Sequence, residues 1–188
     1  MSKCNRKLQD LNQARIEKCN NKNFDELAYI FKYEGIIRKK LIEYKFYEAG
    51  YLYKTFEKIL IKNKKIINFI KKYDIIIPVP IHKNRKKYRG YNQTELIARL
   101  ISEDVGILCK TNIIEKVVNS KPQSTLDSKN RKINVKNVYK LNNEENVKGK
   151  NILLIDDIYT TGSTVNECSR ILKLANPNKI GVLIIAKD

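Results

Sequence analysis

Along this 188-residue chain the hydrophobic positions follow two different spacings. Three stretches are nearly unbroken apolar runs: "YDIIIPVP" (Tyr73–Pro80), "KNILLIDD" (Lys150–Asp157) and "KIGVLIIAKD" (Lys179–Asp188). Runs of this length suit strands buried on both faces, as in a parallel sheet. "LAYIFKYEG" (Leu27–Gly35) reads as a further strand ending in a turn, and "NIIEKVV" (Asn112–Val118) as another. Helical spacing appears between them. Ile37, Leu41, Tyr44 and Glu48 share one face, followed by a Lys-rich helix over Tyr51–Lys72 with Leu52, Phe56, Ile59, Ile66 and Ile70 inward. Thr94–Gly106 is expected to form a helix with a Thr cap and a Gly stop, with Leu96, Ile97, Leu100 and Ile101 inward. The helix over Ser163–Asn176 buries Val165, Cys168, Leu172 and Ala175.

Strand, helix, strand, helix, strand implies right-handed crossovers: an α/β chain with a mostly parallel sheet and helices on both faces. Two segments lack a sustained apolar face. Residues 1–23 read as a small appendage or loosely ordered arm, leaving 24–188 as the main domain. Asn119–Asn137 reads as a long polar loop, and such loops in compact domains are usually functional or disordered. "IHKNRKKYRGYNQ" (Ile81–Gln93) is expected to be a basic loop.

Composition narrows the function classes. No apolar run reaches the roughly 18–20 residues of a membrane span, and the N-terminal stretch is too polar for a signal peptide, so the expected location is the cytoplasm. The net charge of +18 points to a nucleic-acid or polyphosphate partner. The plainer alternative is a set of solvated lysine faces, since the lysines are spread along the chain. The four cysteines (Cys4, Cys19, Cys109, Cys168) form no C-x-x-C pair, and His82 is the only histidine, which excludes a His-rich metal site. His82 is read as structural, and Tyr88 and Tyr91 as packing residues.

The chemistry concentrates in "ILLIDDIYTTGST" (Ile152–Thr164). Ligands of open parallel sheets sit beyond the carboxyl ends of strands, where Asp156 and Asp157 fall. Paired carboxylates there accept hydrogen bonds from a vicinal diol or face a divalent cation such as magnesium. The next residues, read as the start of a helix, offer unpaired amides, the hydroxyls of Thr160, Thr161, Ser163 and Thr164, and a close backbone approach at Gly162. Acids beside a phosphate cradle suit a sugar phosphate better than a bare phosphate. The P-loop pattern G-x-x-x-x-G-K-[ST] is absent. A plainer reading, in which strand-end acids merely cap the next helix, accounts for one carboxylate but less easily for two followed by four hydroxyls.

This stretch resembles the 5-phosphoribosyl 1-pyrophosphate (PRPP) motif of type I phosphoribosyltransferases. "PVPIHKNRKKYRGYNQTELIA" (Pro78–Ala98) and "KPQSTLDSKNRKINVKNVY" (Lys121–Tyr139) resemble two further signatures of the ComF (competence protein F-like) family, and the likeness spans about Phe24 to Lys187. The resemblance implies a Rossmann-like type I phosphoribosyltransferase fold. It implies Asp156 and Asp157 on the ribose hydroxyls with magnesium, Thr160, Thr161, Gly162, Ser163 and Thr164 on the 5-phosphate, and residues 119–137 as a mobile flap. Arg85, Arg89, Lys121 and Arg131 would lie near the pyrophosphate, where arginine forks suit the charge. The expected reaction is transfer of phosphoribose to a nitrogen nucleophile, with the acceptor held by residues between Phe31 and Phe46.

The rival reading is a non-catalytic DNA-uptake factor that binds single-stranded DNA or competence proteins. Many ComF-like proteins begin with a zinc ribbon of two C-x-x-C knuckles. Here Met1 and Ile16 stand where the first cysteine of each knuckle would be, so no zinc is expected.

Overall fold

The computed structural model describes residues 14–46, 51–119 and 138–188. A six-stranded sheet forms the centre, in the order β1-β2-β8-β7-β3-β4. Its strands are β1 (Arg15–Lys18), β2 (Glu26–Lys32), β3 (Ile75–Pro78), β4 (Leu108–Cys109), β7 (Asn151–Tyr159) and β8 (Lys179–Lys187). β1 runs antiparallel to β2, and every other pairing is parallel. A separate antiparallel hairpin joins β5 (Ile114–Lys116) to β6 (Tyr139–Leu141). The helices are α1 (Gly35–Phe46), α2 (Leu52–Lys62), α3 (Lys64–Ile70), α4 (Lys83–Arg89), α5 (Gln93–Val105) and α6 (Ser163–Lys173).

The unbroken apolar runs are explained by cover on both sides. Side chains alternate along a strand, so a strand with one solvated face would alternate in polarity too. In β7, Leu153 and Ile155 face a core shared with Leu41, Phe56, Phe69 and Ile101 from α1, α2, α3 and α5. Ile152 and Leu154 face the other core, built with Val165 and Leu172 of α6 and Ile114 and Tyr139 of the hairpin. All eight of these aliphatic and aromatic partners from the helices and hairpin that meet β7 are buried, as are the four β7 residues.

Several elements differ from the sequence expectation. The helix expected over Tyr51–Lys72 is two helices, because Asn63 takes an extended conformation (φ −88, ψ 111) and caps α3 by accepting from the amides of Lys65 and Ile66. An Asn that bonds its own downstream backbone competes with helix continuation. The basic loop contains the short helix α4, opened by His82, whose Nδ1 accepts from the Asn84 amide, and closed by left-handed Gly90. His82 is therefore structural. α5 begins at Gln93 rather than on a Thr94 cap, because the Thr94 hydroxyl donates to the Val79 carbonyl at 2.7 Å. Ile97 and Ile101 are buried, whereas Leu96 and Leu100 are only partly so. The strand read at Asn112–Val118 is in the hairpin, and one edge of the main sheet is the unanticipated two-residue β4, the other being β1. Tyr91 packs against Tyr44, but Tyr88 is 94% exposed and does not pack. Glu48, Cys4 and the body of the expected flap lie outside the described residues. Among those described, no helix is long and apolar enough to cross a membrane.

Candidate functional site

The site arises from a mismatch in strand length. β3 pairs with β7 only as far as Pro78 opposite Ile155, while β8 accompanies β7 to Tyr159 opposite Lys187. From Asp156 onward, β7 therefore has one uncovered edge, and a cavity of about 350 Å³ opens there. Open α/β sheets place ligands in such crevices. Asp156 and Asp157 are the last-but-three and last-but-two residues of β7, so the strand runs past the acids before turning.

Strand alternation sends the two carboxylates to opposite sides of the strand tip, yet both line the cavity. Asp157, in phase with Leu153 and Ile155, lies toward α1, where the Lys45 ammonium meets it at 2.8 Å. It is only 5% exposed. Asp156, in phase with Ile152 and Leu154, lies toward the hairpin, and its Oδ1 accepts from the Asp157 amide at 2.9 Å. Desolvation and the adjacent Asp157 charge push Asp156 up to about 7.

The turn after β7 leads into α6. Gly162 adopts φ 72, and a Cβ there would run into the Tyr159 ring, so the position admits only glycine without rearrangement. The Thr161 and Ser163 hydroxyls bond each other at 2.8 Å, and the Thr161 Oγ1 also accepts from the Ser163 amide, the first of α6, at 3.3 Å. Thr160 and Thr164 line the cavity. The positive end of an 11-residue helix thus stands beside the acids, an arrangement that favours an anion.

Arg85 and Arg89 also line the cavity, carried by α4 rather than by a loop. Burial lowers the Arg89 pKa, and the nearby Asp157 charge works against that. Lys121 and Arg131 lie outside the described residues. Of the Phe31–Phe46 segment, Tyr33, Arg38, Ile42 and Lys45 reach the cavity. Sequence reasoning missed Lys45 as a partner of Asp157, since nothing in helical spacing marks a lysine for a strand 110 residues later. It also missed Gln93, and Lys116 with Tyr139, which the hairpin delivers. Lys116 stands 5.4 Å over the Tyr139 ring, and burial lowers its pKa.

The donor set fits magnesium only in partnership with a ligand. Among the described residues no cluster of three or more His, Cys, Asp or Glu side chains assembles. Magnesium is commonly held by one or two carboxylates together with substrate phosphates, and Asp156 and Asp157 are the residues that could supply that protein share. Burial raises the pKa of Cys168, and that of Cys109 to about 11.

A parallel sheet with a cavity at the carboxyl end of β7, acids on the strand and a helix start beyond them define a phosphoribosyltransferase-type fold. The phosphoribosyl transferase domain family matches residues 91–188. Competence protein F of Haemophilus influenzae is 30% identical over 169 residues, covering 88% of this chain and 74% of that protein. The DNA utilization protein YhgH of Salmonella typhi is 34% identical over 99 residues, 53% of this chain and 43% of its own length. The purine phosphoribosyltransferase of Pyrococcus horikoshii Ot3 superposes with a TM-score of 0.47 at 16% identity, over 73% of this chain and 84% of that one. The chain belongs to the ComF family of phosphoribosyltransferase-like proteins.

Proposed function

We propose that the cavity binds PRPP with magnesium and transfers its phosphoribosyl group to a nitrogen nucleophile. The observation that carries this reading is the pair of cavity-lining acids, Asp156 and Asp157, placed just before the turn into α6. The ribose hydroxyls would donate to the two carboxylates, one on each side of the β7 tip. The 5-phosphate would take the amides at the start of α6 and the hydroxyls of Thr160, Thr161, Ser163 and Thr164. Arg85 and Arg89 would meet the pyrophosphate, joined by Lys121 and Arg131 from the 119–137 flap.

The nitrogen lone pair forms the new bond to C1. The C1–O bond breaks, its electron pair leaves with pyrophosphate, and the nitrogen's proton passes to solvent. Positive charge develops on the ribose ring as that bond breaks, and the Asp156/Asp157 pair balances it. Magnesium, when bound, supplies charge stabilisation for the leaving pyrophosphate. Lys45 pairs with Asp157 in the free chain and would release it when the ribose arrives. No zinc takes part in this scheme. The proposal extends to a role linked to competence and DNA utilization, the words that name the relatives, and to a cytoplasmic location.

The test is a melting titration with PRPP and magnesium. A ligand that binds only the folded state at a hundred times its Kd adds about 2.7 kcal/mol, or roughly 5–10 °C for a chain of this size. The wild type should shift by that order, and the Asp156→Asn/Asp157→Asn double variant should not. No wild-type shift at millimolar PRPP would sink the reading.

One observation favours a second, non-catalytic reading. Tyr88 is 94% exposed on α4, flanked in sequence by Lys87 and Arg89. An exposed ring among cations is a stacking platform for single-stranded DNA. Under that reading, Tyr88→Ala weakens binding of a single-stranded oligonucleotide, salt weakens it steeply, and PRPP produces no turnover with any base.

A further inference from the structure

Gly162 is the conformationally loosest residue in the turn into α6. Glycine has the widest backbone choice of any residue, and here it holds a φ of 72 with no side chain of its own to anchor it. What holds it comes from outside the turn. Two chains of contacts converge on it, and both begin in the N-terminal segment Arg15–Asn23.

The first chain crosses four neighbouring strands, β1, β2, β8 and β7. Glu17 of β1 accepts from the Tyr29 hydroxyl of β2 at 2.8 Å and from the Lys187 ammonium of β8 at 2.5 Å. That ammonium lies over two rings, 5.0 Å from the Tyr29 centroid and 5.9 Å from the Tyr159 centroid. Tyr159 stands opposite Lys187 at the end of β7, and its ring fills the space a Gly162 side chain would need. The second chain runs through α6. The Asn23 amide donates to the Asn166 Oδ1 at 2.8 Å, and the Asn23 side chain donates to the Asn166 carbonyl at 3.3 Å. The Asn166 amide donates in turn to the Gly162 carbonyl at 2.9 Å, closing the first turn of the helix. One brace meets the glycine at its α-carbon and the other at its carbonyl. None of the bracing side chains is among those that line the cavity.

We propose that Glu17, Lys187 and Asn166 are positioning residues for phosphate binding, and that the N-terminal segment sets how tightly the turn 160–164 grips the 5-phosphate. The proposal rests on the PRPP reading above and deepens it. A phosphate held by backbone amides and short hydroxyls needs those donors fixed before it arrives, because ordering a loop on binding subtracts from affinity. Releasing a brace should weaken the ligand at its phosphate end and leave the pyrophosphate end, on α4, as it was.

The experiment uses the full chain, calorimetry with PRPP and magnesium, and phosphorus NMR of the saturated complex. In PRPP the 5-phosphate and the pyrophosphate give separate phosphorus signals. Absence of wild-type binding overturns the PRPP reading itself, before any variant is compared. Given binding, Glu17→Gln, Lys187→Met and Asn166→Ala should each weaken PRPP by about tenfold. The 5-phosphate signal of each complex should be displaced from its wild-type position, and the pyrophosphate signals should not. Lys187→Arg keeps a cation over the rings and should stay within about threefold of the wild type. Because the two braces end on different atoms of Gly162, a variant of one that fails to fold leaves the other to be read. The inference is overturned if the folded variants bind PRPP within about twofold of the wild type, which would make the braces structural only. It is also overturned if the 5-phosphate and pyrophosphate signals move together, which would mark a general loosening of the cavity.

Discussion

Asp157 and Lys45 show how much of the site depends on single side chains. Asp157 is 5% exposed, and the Lys45 side chain retains only 28% of its accessible surface. Removing one member of a buried pair leaves an uncompensated charge, which costs more than the intact pair contributes. Lys45→Met should lower the stability of the free chain by about 1–3 kcal/mol in urea unfolding, the lower end reflecting the partial exposure of Lys45. Wild-type stability in this variant would contradict the importance given to the pair. Gly162 is the second such position. Its φ of 72 and the Tyr159 ring behind it make Gly162→Ala costly, by about 1–3 kcal/mol, and the same urea curve reads it out.

At the scale of elements, the packing of α2 on α5 carries a pH signature. Glu57 of α2 is 3% exposed, and its Oε1 has no hydrogen-bond partner. Burial and a hydrogen bond shared with Asp104 of α5 push it up to about 7, with the Lys58 ammonium opposing. Its folded pKa exceeds the ordinary 4.5, so the native state holds the extra proton between about 4.5 and 7. This group's contribution to stability is complete below about 4.5 and is lost as pH rises through 7. Carboxylates held low by cations, such as Glu26 and Glu95, act below that window with the opposite slope. Glu57→Gln should be more stable than wild type at pH 8, with the gap closing toward pH 5 in urea titrations. A gap independent of pH would show that Glu57 does not titrate there.

The same elements show what a linear reading can and cannot see. β3, β7 and β8 were legible because double-sided burial writes itself as unbroken apolar runs. The inward stripe of α6 was legible because one face repeats at helical spacing: Val165, Cys168, Leu172 and Ala175 are all buried. Asn63 hid the break between α2 and α3, since the lysine and isoleucine pattern continues across it while its cap is made by one side-chain oxygen. β4 is two residues long, too short for any period to register. Lys45 and Gln93 reach the site through tertiary packing: α1 against β7 in one case, a Tyr44 hydrogen bond in the other. The acids and the glycine turn were visible because they are contiguous in sequence. Their division across the strand tip was not, because it follows from where β3 stops.

At the scale of the whole molecule, the sheet is a platform that holds one crevice open, and the helices and hairpin on its two faces bring opposite kinds of chemistry to it. α6 and the turn before it contribute a helix's positive end and hydroxyls from one side. α1 and α5 contribute a paired lysine and the Gln93 carboxamide from the other. The net charge of +18 adds a field that draws polyanions toward the chain, whichever polyanion is bound. Because that field acts without regard to geometry, binding alone discriminates poorly, and the position of a bound ligand discriminates well. The most direct measurement is a crystal structure of the chain with PRPP and magnesium. The account predicts the 5-phosphate on the turn from Thr160 to Thr164 and the ribose hydroxyls on Asp156 and Asp157, with the pyrophosphate toward Arg85 and Arg89. A ligand seated elsewhere on the basic surface, with Lys45 still locked on Asp157 and the start of α6 empty, would contradict it.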